Sequence, residues 1–274
     1  MKTKFMQISS ALMLPIAFIV ILILLNIVPF ASLSKYGFGG ILVTAIALLL
    51  TYGFVKKDGK TLRDIGFSFS KNTPINFLKG LMIGCLVAIT MFAIILTLSE
   101  LQISFNEEAN IPSVLIWLLA FFPLAYMEEV IFRGYAFTKL IELGGIWPAQ
   151  ILMALLFTWY HDFTGATFFV QLLGPGVWAL IYGVALIWSK GIALPTGLHM
   201  GLNIILALVS QKDNREGLWY LDYKTENTQD LILDSETVSL IMQICVLVTG
   251  IVLTEYFRRK YRNKGKMLNQ LKAK

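Results

Sequence analysis

The chain has 274 residues, 57% of them hydrophobic and 15% charged, with a mean hydropathy of +0.70 and a formal net charge of +6. Soluble domains run nearer 45–50% apolar and about 25% charged. That excess of apolar residues excludes an ordinary soluble domain and leaves an all-α polytopic membrane protein.

A membrane-crossing helix needs about 20 mostly apolar residues, and such runs recur at 10–31, 37–55, 76–98, 112–142, 146–163, 166–189, 191–209 and 237–257. These are expected to be eight transmembrane helices enclosing an intramembrane cavity. The first follows Lys2 and Lys4. Its apolar core is longer than that of a secretory signal and no small-residue cleavage site follows it, so it reads as a retained helix.

Basic residues crowd the amino terminus, the segment "KKDGKTLRDIGFSFSK" after the second span, the turns holding Lys139 and Lys190, and the tail "RRKYRNKGKMLNQLKAK". With eight spans, all of these fall on one side. The opposite side carries "SELQISFNEEAN", without a basic residue, and the net-acidic "SQKDNREGLWYLDYKTENTQDLILDSE". The positive-inside rule then places both termini in the cytoplasm. The basic tail is read as facing anionic lipid headgroups, with no nucleic-acid partner. Residues 1–109 form an amino-terminal three-helix unit, 110–210 a core of four helices, and 211–274 an outer loop, a last helix and the tail. The loop 210–236 and the tail from about 258 are expected to be flexible. Cys85 and Cys245 lie in apolar runs with no metal-type spacing and are expected to be buried and inert.

An ionisable side chain at mid-bilayer costs roughly 2.5–3.5 kcal/mol on insertion scales, so each one within a span asks for a partner, a cavity or a chemical role. Within the spans stand Glu128, Glu129, Arg133, His161, Asp162 and His199, with Asn203 as the strongest uncharged polar companion. Glu129 and Arg133 are four residues apart and pair along one helix face, whereas Glu128 is turned about 100° away. His199 and Asn203 share a face of the seventh span, as do Phe157 and His161 of the fifth. If the hairpin "LGGIWP" turns between Gly144 and Gly145, Glu128 and His161 lie at equal distances from it, roughly 20–25 Å above the basic side, with His199 and Asn203 at roughly 12–18 Å. Three helices thereby bring a carboxylate, two imidazoles and an amide to compatible depths. Asp162, beside His161, reads as a residue of the outer face. "FVQLLGPGVW" reads as a kink or a lateral gate.

The ordered set "EEVIFR" (EExxxR), "FTWYH" (FxxxH) and "HMGLN" (HxxxN), with "FRG" and "P-x-x-L-H", resembles the family of CAAX prenyl endopeptidases and bacteriocin-processing or immunity proteins, the CPBP or Abi intramembrane proteases. The resemblance spans about residues 110 to 210. It implies an intramembrane endopeptidase acting on a membrane-associated peptide or protein. Glu128 would activate water as general base, and His161 would hold and polarise that water. His199 and Asn203 would donate to the oxyanion, with Glu129 and Arg133 positioning the site. Preorganised donors of this kind supply roughly 3–4 kcal/mol apiece, and a chamber open to the cytoplasm would provide the water. No cofactor is required on this reading. The alternative is a zinc protease with Glu128, His161 and His199 as ligands; the sequence has no HExxH, and Asn203 is a poor zinc ligand. A non-catalytic immunity or partner-binding protein, and a transporter with Glu128 on a proton path, are the other readings. The composition suggests a bacterial cell membrane. No residue selects the substrate.

Overall fold

The computed structural model describes residues 3–27, 38–67, 69–161, 167–212, 217–224 and 233–262. Asp162, much of the outer loop and the tail beyond Arg262 lie outside the described residues. Among the described residues eight long helices follow one another: α1 (Lys4–Ile27), α2 (Phe38–Lys57), α3 (Thr73–Leu98), α4 (Ile111–Gly144), α5 (Ile146–Tyr160), α6 (Phe168–Ser189), α7 (Ala193–Leu208) and α8 (Ser235–Arg262). They coincide with the eight apolar runs. Six are long and apolar enough to cross a membrane. The other two, α5 with 15 residues and α7 with 16, reach only about 22–24 Å at 1.5 Å per residue. They are shorter than the roughly 30 Å hydrocarbon core.

Local chemistry sets the ends. Asn110 caps α4 by accepting from the Ser113 amide at 3.0 Å, next to Pro112 in the first turn. The hairpin between α4 and α5 turns at Gly145, whose φ of +87° is a conformation that glycine adopts freely. Two helices are interrupted. In α4 a π-turn covers Val130–Tyr135, where Gly134 has ψ −117°, and in α6 another covers Leu172–Gly176, where Gly174 has ψ −105°. The Gly-Pro-Gly segment is therefore a kink within a continuing helix. The Thr138 hydroxyl turns back to the Gly134 and Tyr135 carbonyls at 2.9 and 3.1 Å.

The tightest packing is between α3 and α7. Gly80 and Gly84 of α3 face the backbone of α7 at Leu194, Leu198 and Leu202, and Gly197 and Gly201 of α7 face the backbone of α3 at Phe77, Leu81 and Cys85. A Cβ at any of the four would overlap a main-chain carbonyl oxygen of the other helix. Two small-xxx-small stripes thus interlock, the arrangement that lets membrane helices approach backbone to backbone. Elsewhere Gln150, fully buried on α5, donates to the Leu180 carbonyl of α6 and to the Thr254 hydroxyl of α8 at 3.0 and 2.9 Å. At the basic side the segment after α2 docks on α4: Asp58 pairs with Lys139 and accepts from Tyr135, and Lys60 pairs with Glu142.

Three expectations need correction. The polar-looking segment after α3 and part of the loop expected to be flexible form an antiparallel ribbon, β1 (Leu101–Phe105) with β2 (Trp219–Tyr223), in the register Leu101↔Tyr223 to Phe105↔Trp219. A five-residue alternation pairing across more than a hundred residues carries too little local signal to be seen in the chain. Cys245, expected to be buried, is exposed on α8, among the exposed apolar residues Ile241, Ile244, Val248 and Val252. Cys85 is only partly buried, in contact with the Gly201 carbonyl.

Candidate active site

The first motif sits where α4 changes from α to π geometry. Glu128 and Glu129 are its last regular residues, and Arg133 lies inside the π-turn. The expected pair is present, with Arg133 Nε 3.4 Å from Glu129 Oε2 and side-chain exposures of 1% and 0%. Two fully buried charges are tolerable only when each is compensated. Among the described residues no guanidinium nitrogen of Arg133 reaches hydrogen-bond geometry. Aromatic faces supply the remainder: the guanidinium carbon stands 4.3 Å from the Phe157 ring centroid and 5.0 Å from that of Tyr182. Desolvated cation–π contacts of this kind contribute about 2 kcal/mol each.

Glu128 does point away from Arg133, and its surroundings differ. Its side chain is 13% exposed whereas that of Glu129 is sealed. Tyr160, the last residue of α5, donates to Glu128 Oε1 at 3.4 Å. His199 of α7 connects the two carboxylates, its Nδ1 lying 3.0 Å from Glu129 Oε1 and its Nε2 3.7 Å from Glu128 Oε2. An ionised carboxylate only accepts, so a hydrogen belongs on Nδ1 and Nε2 is left facing Glu128. Glu129 is thus engaged on both oxygens, by His199 and by Arg133. The helix geometry read from the chain separated the two glutamates correctly; that one imidazole rejoins them could not be read there.

His161 follows the end of α5, and its Nδ1 lies 2.8 Å from the Phe157 carbonyl. Its ring packs on Phe157 and Tyr160 with centroids at 4.5 and 4.9 Å. Asn203 is buried one turn beyond His199 on α7. On that helix Gly197 and Gly201 occupy the face about 200° from His199, so the glycine face grips α3 while the polar face addresses α4 and α5.

Two residues escaped the sequence reading. Tyr182 of α6 stacks flat on His199, with centroids 4.6 Å apart and 16° between planes, and also receives Arg133. Tyr160 is the donor to Glu128. Tyr160 could have been found as the residue preceding the motif histidine. Tyr182 had no signal, being one aromatic in an apolar run. Among the described residues no three of His, Cys, Asp or Glu are grouped closely enough to hold a metal ion.

Residues 110–205 match the family model of Type II CAAX prenyl endopeptidase Rce1-like, a span that includes Glu128, His161, His199 and Asn203. No curated protein matches the chain.

Proposed function

We propose, from the premise that the chain is an integral membrane member of the CPBP/CAAX protease family, that it hydrolyses a peptide bond in a membrane-associated peptide or protein by water activated on Glu128, without a metal. The observation that carries this is the His199 imidazole set between a sealed carboxylate, Glu129, and a partly open one, Glu128. Glu129 is sealed between His199 at 3.0 Å and Arg133 at 3.4 Å, whereas the Glu128 side chain is 13% exposed and, among the described residues, its Oε2 has only His199 Nε2 at 3.7 Å. It is the carboxylate with capacity to take a proton.

On this reading Glu128 removes a proton from water as the water oxygen adds to the scissile carbonyl carbon. The carbonyl oxygen becomes an oxyanion and receives hydrogen bonds from the Asn203 amide and from Nε2–H of His199, which acts as the imidazolium with its Nδ1–H kept on Glu129. The protonated Glu128 then delivers its proton to the departing nitrogen, and the C–N bond breaks. His161 orients the water. Glu129 fixes the imidazole through Nδ1, Arg133 balances the Glu129 charge, and Tyr182 holds the ring in plane. Both termini face the cytoplasm, as the basic segments suggest.

The test is turnover of a prenylated CAAX-type reporter peptide, together with the membrane peptidome, for Glu128→Gln, His161→Ala, His199→Ala and Asn203→Ala. Removal of a general base costs about 10²–10⁴-fold and of an oxyanion donor about 10²–10³-fold. Folded Glu128→Gln protein with parental turnover refutes the assignment. An unchanged phenotype in all four favours a partner-binding role. Loss of activity on chelation, restored by zinc, overturns the metal-free mechanism.

A further inference from the structure

The β1–β2 ribbon has two unlike faces. Side chains alternate along a strand, and in the observed register one face carries Leu101, Ile103, Phe105, Trp219, Leu221 and Tyr223, every one apolar or aromatic. The other carries Gln102, Ser104, Tyr220 and Asp222, with the Ser104 hydroxyl bonded to Asp222 across the strands. The apolar face is open: Ile103 is 45%, Phe105 60% and Tyr223 71% exposed. A two-stranded ribbon is marginal by itself in water, so something must cover that face.

The ribbon is tied to helix ends on the side opposite the basic loops. Lys224, just past β2, donates to the Leu96 and Ser99 carbonyls at the end of α3 at 3.1 and 2.6 Å. The Ser210 hydroxyl, beyond α7, donates to the Trp219 carbonyl at 2.8 Å. Leu101 follows the end of α3 by three residues, and exposed apolar residues resume at Ile111 and Leu115 in the first turns of α4. The open face is therefore continuous along the chain with the apolar surface of the spans.

We propose that this face is an interfacial membrane anchor, lying on the boundary between headgroups and acyl chains of the leaflet on that side. The occupant is lipid for two reasons. Leu, Ile, Phe, Trp and Tyr side chains on one face, against Gln, Ser, Asp and one Tyr on the other, match the amphipathic aromatic belt at bilayer surfaces. Ribbon edges carry unpaired main-chain groups that hydrocarbon cannot satisfy, so the ribbon lies flat at the interface, with edges and polar face in water. Through Ser210 it also fixes the depth of α7.

The test uses the full chain with Cys85→Ala and Cys245→Ala, reconstituted in phosphatidylethanolamine–phosphatidylglycerol vesicles. Single cysteines replace Ile103 or Tyr223 on the apolar face and Gln102 or Asp222 on the polar face, and each carries a nitroxide. The ratio of oxygen to aqueous nickel-chelate collision rates should be several-fold higher at 103 and 223 than at 102 and 222. Equal nickel access on both faces overturns the proposal, as does dipolar broadening that reports a second copy, or shielding of 103 and 223 from both probes. A second measurement avoids the cysteine background. The fluorescence lost between the parent and Trp219→Phe should be quenched by lipids brominated near the headgroup and resist iodide, and the reverse pattern refutes the anchor.

Discussion

Adding one methyl group at Gly84 would test whether the site depends on main-chain contact between α3 and α7. In Gly84→Ala the new Cβ would meet the Leu198 carbonyl carbon and the Leu202 nitrogen, each at 3.0 Å, and overlap the Leu198 oxygen. Apolar contacts settle at about 3.5–4.0 Å, so the helices must part by about 1 Å. Leu198 adjoins His199, and if His199 has the role proposed above, a displacement of that size costs about 10²-fold in rate. Overpacking adds about 1–3 kcal/mol of destabilisation. Gly201→Ala should act alike, since its Cβ would lie 2.8 Å from the Cys85 nitrogen and 3.1 Å from the Gly84 Cα. The control is Gly53→Ala on α2, where nothing lies within 4 Å and the helix should gain up to about 1 kcal/mol from alanine's propensity. Reporter turnover and the thermal midpoint are measured on purified protein in nanodiscs. If Gly84→Ala matches Gly53→Ala in both, the main-chain contact does not set the position of α7.

Arg133→Met should destabilise the fold by about 3–5 kcal/mol by stranding the buried Glu129 charge, while Arg133→Met with Glu129→Gln should recover much of that loss; thermal midpoints decide it. Tyr160→Phe removes the donor to Glu128 and should lower kcat by up to about tenfold at unchanged thermal midpoint, one ordinary hydrogen bond being worth about 0.5–1.5 kcal/mol. Tyr182→Phe keeps the ring on His199 and should retain activity, whereas Tyr182→Leu should lose the stacking contribution of about 0.5–1.5 kcal/mol. On the ribbon side, the Ser235 hydroxyl and amide hold the Glu100 carboxyl below its usual range, and the Thr237 amide does the same for Asp234. Both folded-state values are depressed, so their support is complete above the ordinary carboxylate range of about 4 and fades as pH falls through the lower folded values. Amide exchange at the start of α8 should therefore quicken in acid, and Glu100→Gln should weaken that dependence.

Hydropathy made the eight helices legible because a bilayer demands long apolar runs, and the four-residue spacings placed Glu129 with Arg133 and His199 with Asn203. Depth counted from Gly145 brought Glu128 level with α5, where Tyr160 touches it. The glycine interlock was visible as two spacings of four, yet nothing in the chain says which pairs with which. The π-turn at Val130–Tyr135 was hidden as well, since no periodicity marks a single widened turn. His199 bridging both glutamates depends on that turn and on the interlock together, and so lay beyond one-dimensional reasoning.

The helix that bears His199 and Asn203 rests on peptide groups of α3, which are the same whatever side chains surround them. Mutational drift over the lipid-facing surface of α3, at Met82, Leu86 or Ile89, can thus proceed with little effect on the chemistry, while Gly80, Gly84, Gly197 and Gly201 cannot change singly. A variant library of α3 should divide sharply into these few intolerant positions and a permissive remainder.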